Sequence, residues 1–521
     1  MKILVLLLVF ATTCANAQIF QWVKYLGGIP GGHGYMSAPH GKVTAIDGNG
    51  NVYLTANNGY LKKYTPQGAL IWSKNIGGNG YALTIDQLGY IYIVGGFYDT
   101  MDADPGPQFD TLAGIAGDVF VTKLDANANF VWARSFGGIH ADYATDVAVD
   151  LQSNVYIVGS FSDSTDFDPG SGIEFADTGG AYLTKLDSAG DYLWTYYETF
   201  TGSGYLDFNN SVAVDDSFNI YVSSVNAVNT MPVGYVSRFD STGIMSWRKQ
   251  YLNSIGENIY DLEISDSGYL FAVGLMDFIP GQTPGVFFIQ KMNLSGNEIW
   301  MSKFGRSEID WQANLTIDKD GNSYAIGSGT FGVNNYFYPG APMFTTYGKP
   351  TMFVIKIDPA GVPLWGGFHG IVNANYQTSG YGIEVDDNCG VYLAGYVKGT
   401  VNIGLYYTIG SALLTGDGLF LEKFKCTSLE GSMMLLSNSI TTLHPNPTTG
   451  SFTLKAATTS ADKSASIEIR DVLGKLVYRT IEQINNGLKT EINLDENIAP
   501  GVYFLRLKTE GGEENIRFVK E

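Results

Sequence analysis

FQWVKYLGG spans residues 20–28, and its pattern returns as LIWSKNIGG at 70–78 and FVWARSFGG at 130–138. The later copies close units that begin well upstream, whereas nothing resembling a unit precedes the first. Two spacings define those units. An Asp is followed six residues on by an aromatic at 47→Tyr53, 86→Tyr92, 150→Tyr156, 215→Tyr221, 318→Tyr324 and 386→Tyr392, with Ser265→Phe271 as a variant. A basic residue is followed nine residues on by Trp at Lys63→Trp72, Lys123→Trp132, Lys185→Trp194, Arg238→Trp247, Lys291→Trp300 and Lys356→Trp365. Fixed separations that recur along a chain mark internal repeats with several strands each.

Each unit reads as four strands. Strand A is the apolar run ending at the Asp, as in VAVD (147–150). Strand B carries the aromatic, strand C ends at the basic residue, and strand D carries the Trp. Separations of six and nine are then two hairpin turns whose register cannot vary. Four antiparallel strands per unit fit a propeller blade. The seventh unit has Asp386, Tyr392 and Lys423 but Ser432 where its Trp should stand. FQWVKYLGG supplies the missing strand D, so the N-terminal strand is expected to pair with LFLEKFK (419–425) and close the ring. Closure removes the open edge that would template aggregation. Seven of the eight Trp residues (22, 72, 132, 194, 247, 300, 365) then mark seven blades and pack between them, and Trp311 lies outside the pattern.

Composition agrees. Gly is abundant at 64, only 16% of the 521 residues are charged, and short alternating runs such as NVYLTA dominate over any helical period, so the chain reads as all-β. A net charge of −20 excludes nucleic acid and anionic membrane as expected partners, since both reward Lys and Arg. Lys2, the apolar run from Ile3 to Phe10 and the small-residue site Ala15-Asn16-Ala17 read as a signal peptide over 1–17, cleaved between Ala17 and Gln18. A buried N-terminal strand and a lipoprotein anchored through Cys14 are the alternatives. No later stretch is apolar enough to span a membrane.

Cys389 begins strand B of the seventh blade and Cys426 ends its strand C. Antiparallel pairing would bring them side by side, so a disulfide worth about 2–4 kcal/mol is expected in an oxidising compartment. Two free thiols are the alternative.

The other two connections vary. Aromatic-to-basic separations across B–C run 10, 31, 29, 17, 20, 32 and 31, and Trp-to-Asp separations across D–A run 25, 14, 18, 21, 18, 18 and 21. In a blade these connections share one face, which makes that face the expected binding surface. His33, His140 and His369 lie in its D–A loops as binding-face candidates, with ordinary loop polarity as the alternative. DTMDADPG (99–106) and DSTDFDPG (163–170) repeat carboxylates at matching spacing: Asp99, Asp102, Asp104 and Asp163, Asp166, Asp168. Converging, they could hold Ca²⁺. Asp-Pro-Gly is equally a turn sequence, so no cofactor is required and calcium is the one to test. No catalytic motif is present, and no catalytic residue is assigned.

The copies GGIHADYATDVAVDLQSNVYIVGSF (137–161) and VFVTKLDANANFVWARSFGG (119–138) resemble the seven-bladed β-propeller repeat family of bacterial exported proteins. The resemblance covers residues 18–426 and implies a scaffold for binding or adhesion to a glycan or protein, expected as a monomer. A secreted hydrolase or lyase acting on polysaccharide is the other reading. Residues 427–441 lack alternation and read as a linker. In 442–521, short strands suggest a small Ig-like β-sandwich. There Pro445-Asn446-Pro447 with Gly450, Asp471 with Gly474 and Lys475, Gly501 with Tyr503, and Lys520 near the end resemble the C-terminal sorting domain of the type IX secretion system. That resemblance implies passage through the periplasm and across the outer membrane by the secretion machinery. It also implies removal of the tail, with the cargo secreted or fixed to the outer cell surface.

Overall fold

The computed structural model describes residues 17–27, 41–55, 59–199, 208–228, 231–250, 258–276, 285–307, 310–329, 335–336, 343–344, 351–368, 377–403, 408–409, 412–427, 442–444, 449–456, 464–471, 475–483, 488–495, 497–509 and 512–520. Every regular element among them is a strand. The chain divides into two compact units, Met1–Glu430 and Gly431–Glu521.

Seven blades of four antiparallel strands, each in the order A-B-C-D, form the body of the first unit. Thr165–Asp166 and Phe175–Ala176 extend the sheet of blade 2, Thr408–Ile409 pairs parallel with the N-terminal strand, and Thr100–Asp102 with Thr111–Ala113 and Asn335–Tyr336 with Met343–Phe344 form separate two-stranded ribbons. Blade 1 is Thr44–Ile46, Val52–Thr55, Tyr60–Tyr64 and Leu70–Asn75; blade 2 is Asn79–Ile85, Ile91–Phe97, Asp118–Leu124 and Phe130–Gly138. Blade 3 is Tyr143–Val149, Val155–Phe161, Gly180–Leu186 and Tyr192–Thr199; blade 4 is Phe208–Val214, Ile220–Val228, Met231–Phe239 and Met245–Gln250. Blade 5 is Asn258–Ile264, Tyr269–Met276, Gly285–Asn293 and Glu298–Ser307; blade 6 is Asp310–Ile317, Ser323–Gly329, Thr351–Ile357 and Pro363–Phe368. Blade 7 is Gln377–Val385, Gly390–Ile403 and Ala412–Thr427, completed by Ala17–Gly27 from the other end of the unit. The A strands touch one another in succession, and the last touches the first, so the sheets form a closed ring around an axis lined by strand A.

The spacings read from sequence are chemical contacts. The turn Asp accepts two backbone amides on Oδ1, and its Oδ2 accepts the Tyr hydroxyl six residues on: 3.1 Å for Asp47–Tyr53, 3.0 Å for Asp86–Tyr92 and 2.9 Å for Asp150–Tyr156. Asp215–Tyr221, Asp318–Tyr324 and Asp386–Tyr392 repeat it. The variant blade changes both partners together: Phe271 has no hydroxyl to donate, and Ser265 has no second oxygen to receive one. Each Tyr or Phe then faces the basic residue across the B–C ladder, as Tyr156 faces Lys185, whose Nζ sits 5.0 Å from the ring centroid. That Lys in turn pairs with Trp194 across the C–D ladder.

Between blades, Trp and Lys act as one latch. Trp132 Nε1 and Lys123 Nζ of blade 2 both donate to Ser188 O in the C–D turn of blade 3, each at 3.0 Å. Trp194 and Lys185 share Ser241 O in the same way. At the seam, Trp22 of the N-terminal strand and Lys423 share Pro66 O of blade 1, at 3.1 and 3.3 Å. Trp22 pairs with Lys423 in register, so FQWVKYLGG occupies the strand D position it was expected to fill.

The Cys389–Cys426 disulfide is not formed, because Cys389 is a free thiol. It occupies the left-handed turn position at φ 59°, and its side chain packs against an apolar cluster that includes Val391, Phe420 and Phe424. Cys426 is the penultimate residue of strand C, and its side chain lies outside the described residues.

In the second unit, one sheet holds Thr442–His444, Ser451–Ala456 and Leu488–Asn493. The other holds Leu476–Gln483, Ser464–Asp471, Gly501–Thr509 and Gly512–Lys520. Phe452, Leu454 and Ile492 of the first share a buried cluster with Ile467, Ile469 and Leu505 of the second, which makes a two-sheet sandwich. Asp471 Oδ1 caps the hairpin by accepting Lys475 N at 2.9 Å, and Tyr503 donates its hydroxyl to Ala499 O. Gly450 holds φ +126°, and Lys520 is buried. Gly501 starts its strand. Pro445, Asn446, Pro447 and Gly474 lie outside the described residues, as do 1–16 and 428–441.

Candidate functional site

The two Asp-rich loops fold alike, and their carboxylates make the turns. Asp102 Oδ1 accepts the amides of Asp104 and Asp110, at 3.1 and 3.0 Å; Asp166 Oδ1 accepts those of Asp168 and Glu174, at 3.1 and 2.9 Å. Asp104 and Asp168 each cap the following Gly, Gly106 and Gly170, at 2.7 Å. The backbone closes the loops identically through Ala103 N to Asp110 O and Phe167 N to Glu174 O. This is Asx-turn chemistry, which satisfies amides that a turn would otherwise leave open. Asp99 takes a positive φ of 58°, and its carbonyl accepts Gly114 N. The six carboxylates do not converge: among the described residues no group of three or more His, Cys, Asp or Glu could hold a metal ion.

Each loop is pinned against the preceding blade. Thr165 and Asp166 pair with Gly138 and Gly137 of strand D of blade 2. An added Cβ at Gly77, just past strand D of blade 1, would lie 2.2 Å from Asp102 O. Buried Phe167 is wedged against Phe161, Tyr182 and Phe136. So anchored, the loops expose apolar side chains, foremost Phe109 at 84% and Ile173 at 79%.

Between them lies the D–A connection of blades 2 and 3. Asp142 N donates to Gly117 O, and the Asp142 carboxylate accepts Gly138 N, Ser162 N and Thr165 Oγ1. Burial pushes Asp142 up to about 7. Asp118, also buried, is raised by the same cause, and its Oδ1 has no hydrogen-bond partner among the described residues. His140 is exposed and pairs through Nδ1 with Asp163. Thus the fold joins His140, Asp163, Asp166 and Asp168 on one surface, while His33 and His369 lie outside the described residues.

A second polar assembly was not anticipated from sequence. Strand A skips one residue of the ladder at Tyr81, Thr145, Asn210, Tyr260 and Tyr381, and two residues earlier in its blade at Trp311. Such bulges twist a strand and re-aim its side chains. Beyond them, Ser211 Oγ lies 2.8 Å from Asp146 Oδ2 and 2.9 Å from Asp261 Oδ1. Lys42 Nζ lies 3.0 Å from Glu263 Oε2 and 3.3 Å from Glu384 Oε1, bridging blades 5 and 7 from the entrance to blade 1. Burial raises Glu384 to about 7, and raises Asp146 and Asp261 as well. Burial works to lower Lys42, but the surrounding Glu263, Glu384 and Asp261 outweigh it and hold the ammonium charged. One lysine facing four acids plugs the axis.

Residues 442–521 match the family described as Secretion system C-terminal sorting domain. The protein is therefore an exported cargo, secreted or placed at the outer cell surface. Residues 131–168, from strand D of blade 2 into the second Asp-rich loop, match the family described as Beta-propeller repeat. Among curated proteins, the chain is similar to an uncharacterized WD repeat-containing protein of Acanthamoeba polyphaga mimivirus, at 23% identity over 66% of this chain and 32% of that protein. It spans about a third of that relative's length. Among solved structures, BamB from Moraxella catarrhalis is 14% identical over 77% of this chain and 99% of its own, with a TM-score of 0.36. The extracellular domain of a hybrid two component system of B. thetaiotaomicron is 12% identical over 94% and 56%, with a TM-score of 0.39.

Proposed function

We propose that this exported propeller is a non-enzymatic binding scaffold, adhering to a glycan or a protein through the loop face of blades 2 and 3. The observation that carries the reading is the pair of matched loops. Their carboxylates are occupied in capping their own backbone, and what they offer outward is an apolar tip. Evolving chemistry would need free acids at that place; contact needs rigid, exposed tips on a fixed scaffold. We read residues 1–17 as the signal peptide that starts the export route, and the tail as the address for the type IX machinery.

A polysaccharide hydrolase or lyase is the second reading, favoured by one feature. Asp142, held near 7 beside the raised Asp118, has the value a general acid needs near neutrality. Its carboxylate, however, already accepts three hydrogen bonds that fasten the loops.

The purified exported protein is incubated with a panel of polysaccharides and of outer-surface proteins, with and without Ca²⁺, and retention and released fragments are measured together. Retention without fragments is expected. New fragments, abolished by Asp142→Asn, would replace binding with catalysis. Retention that disappears in chelator would return calcium to the Asp-rich loops.

A further inference from the structure

We propose that the occupant of the blade 2–3 loop face is a cationic polypeptide surface whose Lys or Arg residues flank apolar side chains. The inference rests on the binding reading above and names its partner. Two independent features of the same surface carry it.

The first is apolar and repeated. Phe109 and Ile173 hold equivalent positions in loops one blade apart, each immediately before the residue whose amide is capped by Asp102 or Asp166. Tyr98, Ile115, Ile139 and Phe175 are exposed on the same connections. The roots of both loops adjoin the D–A connection between them. An added Cβ at Gly117 would meet Tyr98 at 3.0 Å and Ala141 at 3.4 Å, and His140 next to Ile139 reaches Asp163 of the second loop. Apolar area left exposed on a fastened loop is favourable to bury on contact, at about 25 cal/mol per Å².

The second is charge. Residues 98–117 and 162–179 contain nine acids and no Lys or Arg. Capping consumes oxygens of Asp102, Asp104, Asp166 and Asp168 but leaves their charge, so a negative field surrounds the apolar tips. A partner of like sign is repelled, and a purely apolar one leaves the field unmatched. Half of these exposed apolar side chains, Ile115, Ile139 and Ile173, are aliphatic and offer a sugar neither a ring face nor a hydrogen-bonding group. A polypeptide with alternating basic and apolar side chains answers both features at once.

The test uses the exported full chain and three probes: a short fluorescent peptide in which lysine alternates with leucine, its glutamate–leucine counterpart, and the polysaccharide panel. The lysine peptide is expected to bind, with affinity falling as NaCl rises from about 0.05 M to about 0.5 M. Phe109→Ser with Ile173→Ser should weaken it about tenfold or more. Asp110→Asn with Glu174→Gln, whose backbone amides and not carboxylates join the caps, should weaken it and flatten the salt dependence. Melting temperatures of all variants should match the parent, since the substituted groups face solvent or rim the loops. Binding of the lysine peptide that survives the tip substitutions is attraction to the overall −20 charge and overturns the proposal. Equal binding of the glutamate peptide overturns it too. Retention of a polysaccharide on this face with no lysine-peptide binding overturns the proposal and leaves the binding reading standing, whereas silence from every probe removes both.

Discussion

Asp150 receives four contacts: the amides of Gln152 and Asn154 at 2.9 Å on Oδ1, and the Asn154 amide group and Tyr156 hydroxyl at 2.8 and 2.9 Å on Oδ2. Asp150→Ala strands the hydroxyl of Tyr156, whose side chain is fully buried. Leaving such a group unpaired costs about 1–3 kcal/mol, to be read as a shift in the denaturation midpoint. Ser265→Ala in the variant blade should cost less, because Phe271 makes no demand. A second prediction concerns Cys389. As a free, half-buried thiol it should be alkylated in the unreduced protein after unfolding, which peptide mass spectrometry reads directly; protection until reductant is added would restore the disulfide. The expected disulfide was drawn from strand ends alone. Cys389 stands three residues after the turn Asp, where four other blades carry Gly at 50, 89, 268 and 321, and the left-handed backbone shared by this position turns its side chain into the cluster.

At the scale of the strand, the ring depends on a terminal segment behaving as an internal one. Gly68 has φ +79°, and an added Cβ would lie 2.7 Å from the Trp22 ring. Gly68→Ala therefore strains the backbone and pushes the closing Trp off its seat, at about 1–3 kcal/mol. Gly48→Ala, in the other turn of the same blade with nothing among the described residues within 4 Å of its added Cβ, should stay within about 0.5 kcal/mol. Equal effects in thermal melts would mean that the seam is not the constrained point. Spacing made this closure legible, since a separation of six is a carboxylate reaching a hydroxyl, and one of nine is two residues facing across a hairpin. The tips at Phe109 and Ile173 were less visible. Their loops stand out as acidic, yet an Asx turn and a calcium ligand ask for the same residue, and only the folded loop decides where the oxygens point. The bulges in strand A were hidden because they break the very alternation by which a strand is recognised. Acids four or two residues before the turn, as in TDVAVD, YDLEIS and YGIEVD, were the signal that remained.

For the whole molecule, the axial plug makes folding depend on pH in an uncommon direction. Ser211 has one hydroxyl proton and lies within hydrogen-bonding distance of both Asp146 and Asp261. The arrangement is complete when one of those acids carries a proton and donates it. Burial acts the same way on Glu384, raised to about 7, and on Asp142, also about 7. An acid whose folded value lies above its unfolded value near 4 binds more protons in the native state. Its contribution is fully present below about pH 4 and is lost as pH rises through about 7. Opposing it are the turn acids Asp47 and Asp386. Burial tends to raise them, but hydrogen bonds and Lys63 or Lys423 hold them low, so their contribution fails only as pH falls below about 4. Lys42 stays charged throughout this range and does not alter the sign. The two sets place maximal stability near pH 4–5, with a decline toward pH 8. Melting temperature measured across that range should fall, and Glu384→Gln, which keeps an oxygen for Lys42 but cannot ionise, should make the fall shallower. A melting temperature that rises from pH 5 to 8 in the parent would mean that water or a bound cation relieves the axial acids, and that the plug is open where its contacts make it closed.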